Sequence, residues 1–576
     1  MNIFERTLRG RKYRIASQSV WDPQRARSVA RQAILGSAEP LPIADLAATR
    51  VAGQRAIGDV GALVWVAEQL GLVEIIDQAC GWEPLPTQPT LGEMVLAVAV
   101  QRACSPGPKK DLAAFLADSV PRVSCLPEAR FSGVAFHRMG HKVTDVDLER
   151  AQVALARRIV ERFALKTDVL AFDTTNFDTH LATTTESDLA RRGHAKSKRS
   201  DLRVVGLGLL VSETQHVPLL YRTFPGNRSD QAVLHDCLGG LHRLQDALDR
   251  QGPGGRPSSR LLVRDGGFWS PDLEVVLDVV GYGSLIALPL GHKAATKALA
   301  VAAQRGAMKP LGGKLRHVRA ARVRLAVGEL DRTLIVVESK ELLEGQKRGV
   351  AARLLKVREE LRVLARLAAA GKRTREQVQA KVKALLGREH LHAFVDVVIE
   401  GTAKKPTLRV EVNAAKRRTL ERTRLGRRVL CTDQHGWSTE RLVRAFRGQW
   451  KVEELFRRTK RGAVVPWGPS HQRADSSLRL HTFATVLGLT LVSLARVAFA
   501  PEQSALAMMT SLREIRATLL RTRTGGSGRP ATVMMAPELT AEQSRMVEVF
   551  ELGRWLPELV SSRQAPRQKA VKMAAA

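Results

Sequence analysis

Between residues 60 and 165 apolar residues recur every three or four positions. GALVWVAEQLGLVEIIDQA and DVDLERAQVALARRIVERFA are the clearest cases, and the spacing predicts helices throughout the region. The pattern then changes. DVLAFDTTN (168–176) is an apolar run ending in polar residues, which predicts a buried strand closing near Asp173. RVVGLGLLVS (203–212) and VPLLYRTF (217–224) predict a strand pair joined by a short turn around Thr214 and Gln215. DQAVLHDCLGGLHRLQDAL (230–248) has helical spacing and tolerates two glycines. RLLVRDGGF (260–268) predicts a strand running into a glycine turn, followed by the short helix SPDLEVVLDVV and the strand GSLIALPL. Three antiparallel strands, a helix, and two further strands with a helix between them make a mixed α/β sheet.

Further on, residues 343–395 predict a charged helical hairpin that breaks near Gly371, with Thr374 and Gln377 spaced as a capping box. A strand, RRVLCTD (427–433), leads into FRGQWKVEELFRRTK (446–460). There Phe446, Trp450, Glu453 and Lys460 fall at offsets of zero, four, seven and fourteen, one stripe of a continuous helix. That spacing turns Glu453 inward beside two aromatic rings and leaves Glu454 on another face. At the N-terminus, RKYRIASQSV (11–20) predicts a strand. The apolar window TFATVLGLTLVSLARVAFA (482–500) carries Arg496 and has polar flanks, so it reads as a buried core helix rather than a membrane span. No internal repeat is visible.

Composition narrows the function. The chain has 576 residues, 44% of them hydrophobic, enough for a packed core and for about three or four domains. Lys and Arg total 91 against 57 Asp and Glu, a formal net charge of +34, which points to a polyanionic partner, most often nucleic acid. Residues 291–328 hold nine Lys or Arg and no acid, and are expected to line a DNA path while their interleaved apolar residues pack. The five cysteines form no CxxC or Cys/His cluster. That argues against a zinc finger and against a disulfide framework, and fits a reducing cytoplasm. MNIFERTLRGRKYR lacks the apolar run of a signal peptide.

Asp173 and Asp265 follow apolar strand runs, where α/β sheets present functional groups. With Glu453 they would form three carboxylates, which repel unless a cation sits among them. Gathered around divalent ions about 3.5–4 Å apart, such a trio suits phosphodiester chemistry, and an all-oxygen set favours Mg2+. The residues alone leave open that the aspartates belong to turns and the glutamate to a solvated face. Asp178 is open as an auxiliary ligand or a turn residue. His180, His194 and His471 lack metal-ligand spacing.

FRGQWKVEELFRRTK resembles the Y-x2-R-x3-E-x6-K signature of bacterial insertion-sequence transposases of the family called IS-four, closest to the IS-sixteen-thirty-four subgroup with its long insertion. Glu453 and Lys460 stand at the signature's Glu and Lys, while Phe446 replaces Tyr and Gln449 replaces Arg, with Arg447 next to the lost charge. LAFDTTNFDT and LLVRDGGFWS resemble the two Asp blocks. RGHAKSKRSDLRVVGLGLLVSETQHVPLLYRTFPGNRSD, with Ala195 where Ser is usual, resembles the block between them. The resemblance covers most of residues 160–500, in family order, with 92 and 188 residues between the successive acids.

It implies an RNase H-like core interrupted by an insertion subdomain, with Asp173, Asp265 and Glu453 as the DDE triad holding two Mg2+ ions, for which Mn2+ substitutes. It also implies cleavage of the element's ends and attack of the new 3′-OH groups on target DNA. Lys460, Arg447, Gln449, Arg457, Trp269 and Lys196 are then expected at DNA, Lys460 on a phosphate, and Trp269 either on an unstacked base or anchoring the core. The expected partners are terminal inverted repeats and target DNA, held by a homodimer in a bacterial cytoplasm.

The expected organisation has six parts. They are a basic N-terminal region (1–60) for end recognition, a helical region (61–165), the first part of the core (166–290), the insertion (291–426), the second part of the core (427–500), and a C-terminal region (501–576) whose tail, SRQAPRQKAVKMAAA, is expected to be disordered. The 343–395 hairpin would contact DNA or a second subunit. Alternatives are an RNase H-like metal-dependent nuclease without strand transfer and an inactive DNA-binding descendant.

Overall fold

The apolar runs from residue 169 onward form three antiparallel strands, Val169–Thr179, Arg203–Ser212 and Pro218–Pro225. Gly206 faces Phe224 so closely that a Cβ there would lie 2.0 Å from the ring, so the glycine lets the aromatic lie flat across the neighbouring strand. The helix Asp230–Asp249 follows, then the strand Arg260–Arg264, the helix Pro271–Val279 and the strand Tyr282–Leu288. The order of three strands, helix, strand, helix and strand is the one expected from the sequence. In this computed structural model the described residues are 1–38, 49–193, 195–249, 260–304, 306–387, 390–462, 464–468, 470, 472–522 and 531–561. The expected C-terminal tail, Arg305, His194 and His471 lie outside them.

The chain divides into two units. One comprises residues 1–260, 279–281 and 448–576. Its first 37 residues form three antiparallel strands, Asn2–Leu8, Arg11–Asp22 and Arg27–Ser37. The first turn uses Arg9 and Gly10 at φ of 51° and 77°, the primed geometry that matches strand twist. Arg31 on the third strand forms a buried ion pair with Glu93, 3.1 Å apart, on the helix Leu91–Cys104. Glu93 also closes a capping box with Thr90. The strand Thr49–Ala56 pairs with Arg516–Thr522, so the two ends of the sequence share a small sheet with Ala531–Met535.

The predicted helical region contains Gly58–Leu70, Leu72–Ala79, Leu91–Cys104, Gly133–Lys142 and Asp145–Arg162. The long apolar helix Asp475–Phe499 runs through this unit, and 89% of its most apolar window is buried. A Cβ at Gly488 would meet the Ala99 carbonyl at 2.8 Å, so this helix crosses Leu91–Cys104 at close range. Arg496 donates to the carbonyls of Pro501 and Gln215.

The other unit comprises residues 261–278 and 282–447. Val318–Val327, Leu330–Ser339, Arg427–Thr432 and Tyr282–Leu288 are hydrogen-bonded in that order, each pair antiparallel. The predicted hairpin is real: Lys340–Ala369 and Arg375–Leu386, with the Thr374–Gln377 capping box formed. It packs with the strands Val395–Gly401 and Pro406–Val412 around Val357, Leu361, Val378 and Phe394. The inserted segment therefore has a core of its own. The basic stretch 291–328 divides into the helix Lys293–Ala302 and the strand Val318–Val327, whose arginines point outward. There Arg324 pairs with Asp331, Arg319 lies 3.7 Å from Glu338, and Arg322 donates to the carbonyls of Trp437 and His435.

Candidate active site

Asp173 lies in the middle of its strand rather than at the end, which corrects the expected boundary. Thr174 and Thr175 suit extended backbone, and pairing continues through Phe177 and Thr179 against Val205 and Arg203. The half-buried Asp173 carboxylate accepts the Thr174 N–H at 2.7 Å. Thr174 in turn donates its hydroxyl to Asp230 at 2.5 Å. The basic block after this strand folds back onto it. The Lys196 N–H meets the Asn176 side chain at 3.0 Å, its ammonium donates to the Thr174 carbonyl at 2.6 Å, and Ser197 donates to Asp178 at 2.8 Å. Ala195, where the resembled family has Ser, is buried.

The predicted single helix at 446–460 is two helices, Thr439–Arg447 and Trp450–Arg461, separated by Gly448 and Gln449. A Cβ at Gly448 would lie 2.1 Å from the Glu213 carboxylate, so a larger residue there would have to displace that side chain. Lys451 binds that same carboxylate at 2.9 Å. The break ends the expected stripe. The buried face of the second helix is Val452, Leu455, Phe456 and Thr459, so Glu453 faces solvent and not the core. Trp450 is 53% exposed and meets the His216 ring edge-on, whereas Phe446 is buried beneath the Arg428 guanidinium. Glu454 is committed to ion pairs with Arg457 at 2.6 Å and Arg458 at 3.4 Å.

The Trp450–Arg461 helix packs on the Asp173 strand. Lys460 brings its ammonium to 5.8 Å from the centre of the Phe177 ring. Burial, with the nearby Lys196, lowers its pKa to about 8, and Asp178 and Asp173 oppose the shift. Asp173, Asp178, Lys196 and Lys460, scattered over nearly 290 positions, thus form one electrostatic cluster, with Glu453 on the same helix as Lys460.

In the other unit, Asp265 follows its strand as predicted, exposed, and accepts the Gly266 N–H at 2.8 Å to cap a single 3-10 turn. The residue before it, Arg264, is fully buried. Its guanidinium pairs with Glu274 at 2.7 Å and donates to Ser284 at 2.6 Å, and Arg332 stands 3.8 Å from the same carboxylate. This network anchors the strand end that carries Asp265. Trp269 meets the His292 ring edge-on at 5.6 Å. Arg447 reaches Glu341 at 3.5 Å and His317 at 3.3 Å. Gln449 is half-buried. Asp433 shares the strand-end signal of Asp265, yet both its oxygens accept the Ser284 N–H, and burial raises its pKa. Sequence reasoning had no way to separate that structural aspartate from the candidates. It also missed a cation-lined pocket near Lys109, whose residues come from distant segments with no recognisable spacing.

Asp173, Asp265 and Glu453 offer only oxygen donors, the set that hard cations prefer. Among the described residues, no three His, Cys, Asp or Glu side chains form a metal-holding group.

No protein-family model matches the sequence, and neither does any curated protein. Among solved structures, the chain is similar to the piggyBac transposase in a synaptic complex with hairpin DNA, determined by electron cryo-microscopy, with a TM-score of 0.36 and 8% identity over 88% of this chain and 82% of that one.

Proposed function

We propose that this protein is a DNA transposase of an insertion sequence, cutting the element's ends and joining their 3′-OH groups to target DNA. What supports the reading is the meeting of signature residues from opposite ends of the core: the helix bearing Glu453 and Lys460 packs on the strand bearing Asp173, and Lys460 feels the Asp173 charge. Asp173, Asp265 and Glu453 would hold divalent metal, Mg2+ or Mn2+. The bound ions would supply an activated water and charge stabilisation at the attacking and leaving oxygens.

The chain's own groups do the rest. Lys196 and Lys460 set two ammoniums beside Asp173, where they would draw a phosphate toward the carboxylates and hold it. Trp269, half-buried in its unit, offers a ring face to an unstacked base, and Arg447, Gln449 and Arg457 offer donors to the backbone. The partners in this reading are terminal repeats and target DNA, and a homodimer in a bacterial cytoplasm brings two ends together.

The test is a cleavage and strand-transfer assay with Mg2+ on the element's own ends, comparing wild type, Glu453→Ala and Glu454→Ala. Joined products lost only in the Glu453 variant support the reading. Nicking without joining indicates a nuclease, and an inactive wild type that binds the ends indicates a DNA-binding descendant. Full activity in Glu453→Ala removes Glu453 from the site.

A further inference from the structure

A second cluster of cations lies in the helical part of the first unit. A cavity of about 830 Å3 is lined by Arg102, Lys109, Lys110, His137, His141, Arg473 and His481, with Phe131, Ala113 and Val134 among its apolar walls. No lining residue is an Asp or Glu. Arg102 is buried. Its guanidinium donates to the carbonyls of Gly107, Pro466 and Gly468, and its Nε has no partner. Lys109 places its ammonium 3.2 Å from the His481 Nδ1 and 4.6 Å from the centre of the Phe136 ring. His481 in turn contacts the Trp467 carbonyl through Nε2, which leaves Nδ1 to accept from Lys109.

Among the described residues no carboxylate acts on Arg102 or Lys109. Carbonyls and a neutral imidazole are dipoles, and they do not cancel the charge of the buried Arg102 or of the half-buried Lys109 beside it. Holding such charges without a counter-ion is costly, and an incoming anion relieves that cost. Burial and the neighbouring Arg102 lower the Lys109 pKa to about 7, as expected for a cation lacking its partner. The apolar walls and a volume within the range of small-molecule sites favour an anion carried on an organic body over a bare ion.

The geometry points to a phosphate-ester pocket, with Lys109 and Arg102 supplying the inner charge and Arg473 and Lys110 the rim. The phosphate belongs either to a free nucleotide or to a nucleotide of a DNA strand. The pocket shares no residue with the Asp173 cluster, so the inference stands whether or not the transposase reading holds.

The experiment is calorimetric titration of the full chain with deoxyadenosine 5′-monophosphate at about 150 mM salt, where long-range attraction is screened. Wild type should bind, and Lys109→Gln should bind at least about tenfold more weakly while melting no lower than wild type without ligand. If Lys109→Gln does not fold, Arg473→Ala, at the exposed rim, should show the weakened binding with an unchanged melting temperature. A single-stranded oligonucleotide that displaces the mononucleotide identifies a DNA strand as the source. An oligonucleotide that leaves the mononucleotide bound identifies a free nucleotide. A wild type that binds no mononucleotide, or folded variants that bind as tightly as wild type, overturns the inference.

Discussion

Phe177 and Trp467 stack with ring centres 4.8 Å apart and planes 17° from parallel. Phe177 lies on the Asp173 strand, four residues beyond the carboxylate, and Trp467 follows the helix that carries Glu453 and Lys460. Trp467 is fully buried, its N–H donates to the Thr482 hydroxyl at 3.0 Å, and its backbone N–H meets the Thr459 carbonyl at 2.9 Å. The pair fixes how the helix lies on the strand, and so how far Lys460 stands from Asp173.

Trp467→Ala should therefore destabilise the protein by about 3–5 kcal/mol, the usual cost of emptying a large aromatic site. Trp467→Phe, which keeps the stack but loses the hydrogen bond, should cost markedly less. Urea unfolding followed by circular dichroism gives both values, and a Trp467→Ala midpoint equal to wild type would remove this pair from the packing account.

Arg264→Met should cost about 3–5 kcal/mol, because it leaves the Glu274 carboxylate buried with only Arg332, 3.8 Å away, to balance it. Replacing both partners, Arg264→Met with Glu274→Leu, should recover much of that loss. A double variant less stable than the single one would show that the pair stabilises beyond its own desolvation.

Glu454→Gln breaks two ion pairs that are partly exposed, so a stability loss of about 1 kcal/mol or less is expected. Lys460→Ala should weaken binding to any DNA sequence and reduce the salt dependence of that binding by about one phosphate contact. Fluorescence anisotropy across a salt series measures the slope, and an unchanged slope would place Lys460 off the DNA.

Stability should rise with pH above neutrality. The folded pKa of Lys109 is near 7, well below the free value of a lysine, so the unfolded chain binds the proton more tightly. The penalty is complete below about pH 7 and disappears as pH climbs toward the unfolded pKa. Arg102, His137, His141 and His481 surround this ammonium, and His481, whose pKa is pushed well below its usual value, adds a loss of stability on acidification below about pH 6.5. Melting temperatures from about pH 6 to 9 should increase in wild type. The part above neutrality should shrink in Lys109→Gln, and an equal rise in both would assign it to other groups, Lys460 among them.

Much of this fold is legible in the sequence because each core strand is a continuous apolar run. RVVGLGLLVS forms a strand with the predicted ends, and the Thr374 capping box starts its helix where the spacing places it. The reading fails where geometry is set from outside the segment. The spacing of Phe446, Trp450 and Glu453 is compatible with one helix, and only the fold shows the break at Gly448, where the Glu213 side chain comes close. The boundary after Asp173 fails for a related reason, since Thr174 and Thr175, which look like a turn, pair against Gly208 and Leu207. Of the candidate site, the residues in signature blocks could be named in advance. Glu453's exposure and the repulsion between Lys196 and Lys460 could not, because both depend on which helix face the tertiary packing selects.

The pairing of Thr49–Ala56 with Arg516–Thr522 has a consequence for how the protein is made. The earlier strand leaves the ribosome 460 residues before its partner begins. At a synthesis rate of about 5–20 residues per second, that edge waits roughly 20–90 seconds with its backbone hydrogen bonds unmade. Throughout that interval the nascent chain exposes a strand edge able to capture other extended chains, so a translational pause anywhere in the insertion would prolong its vulnerability to aggregation.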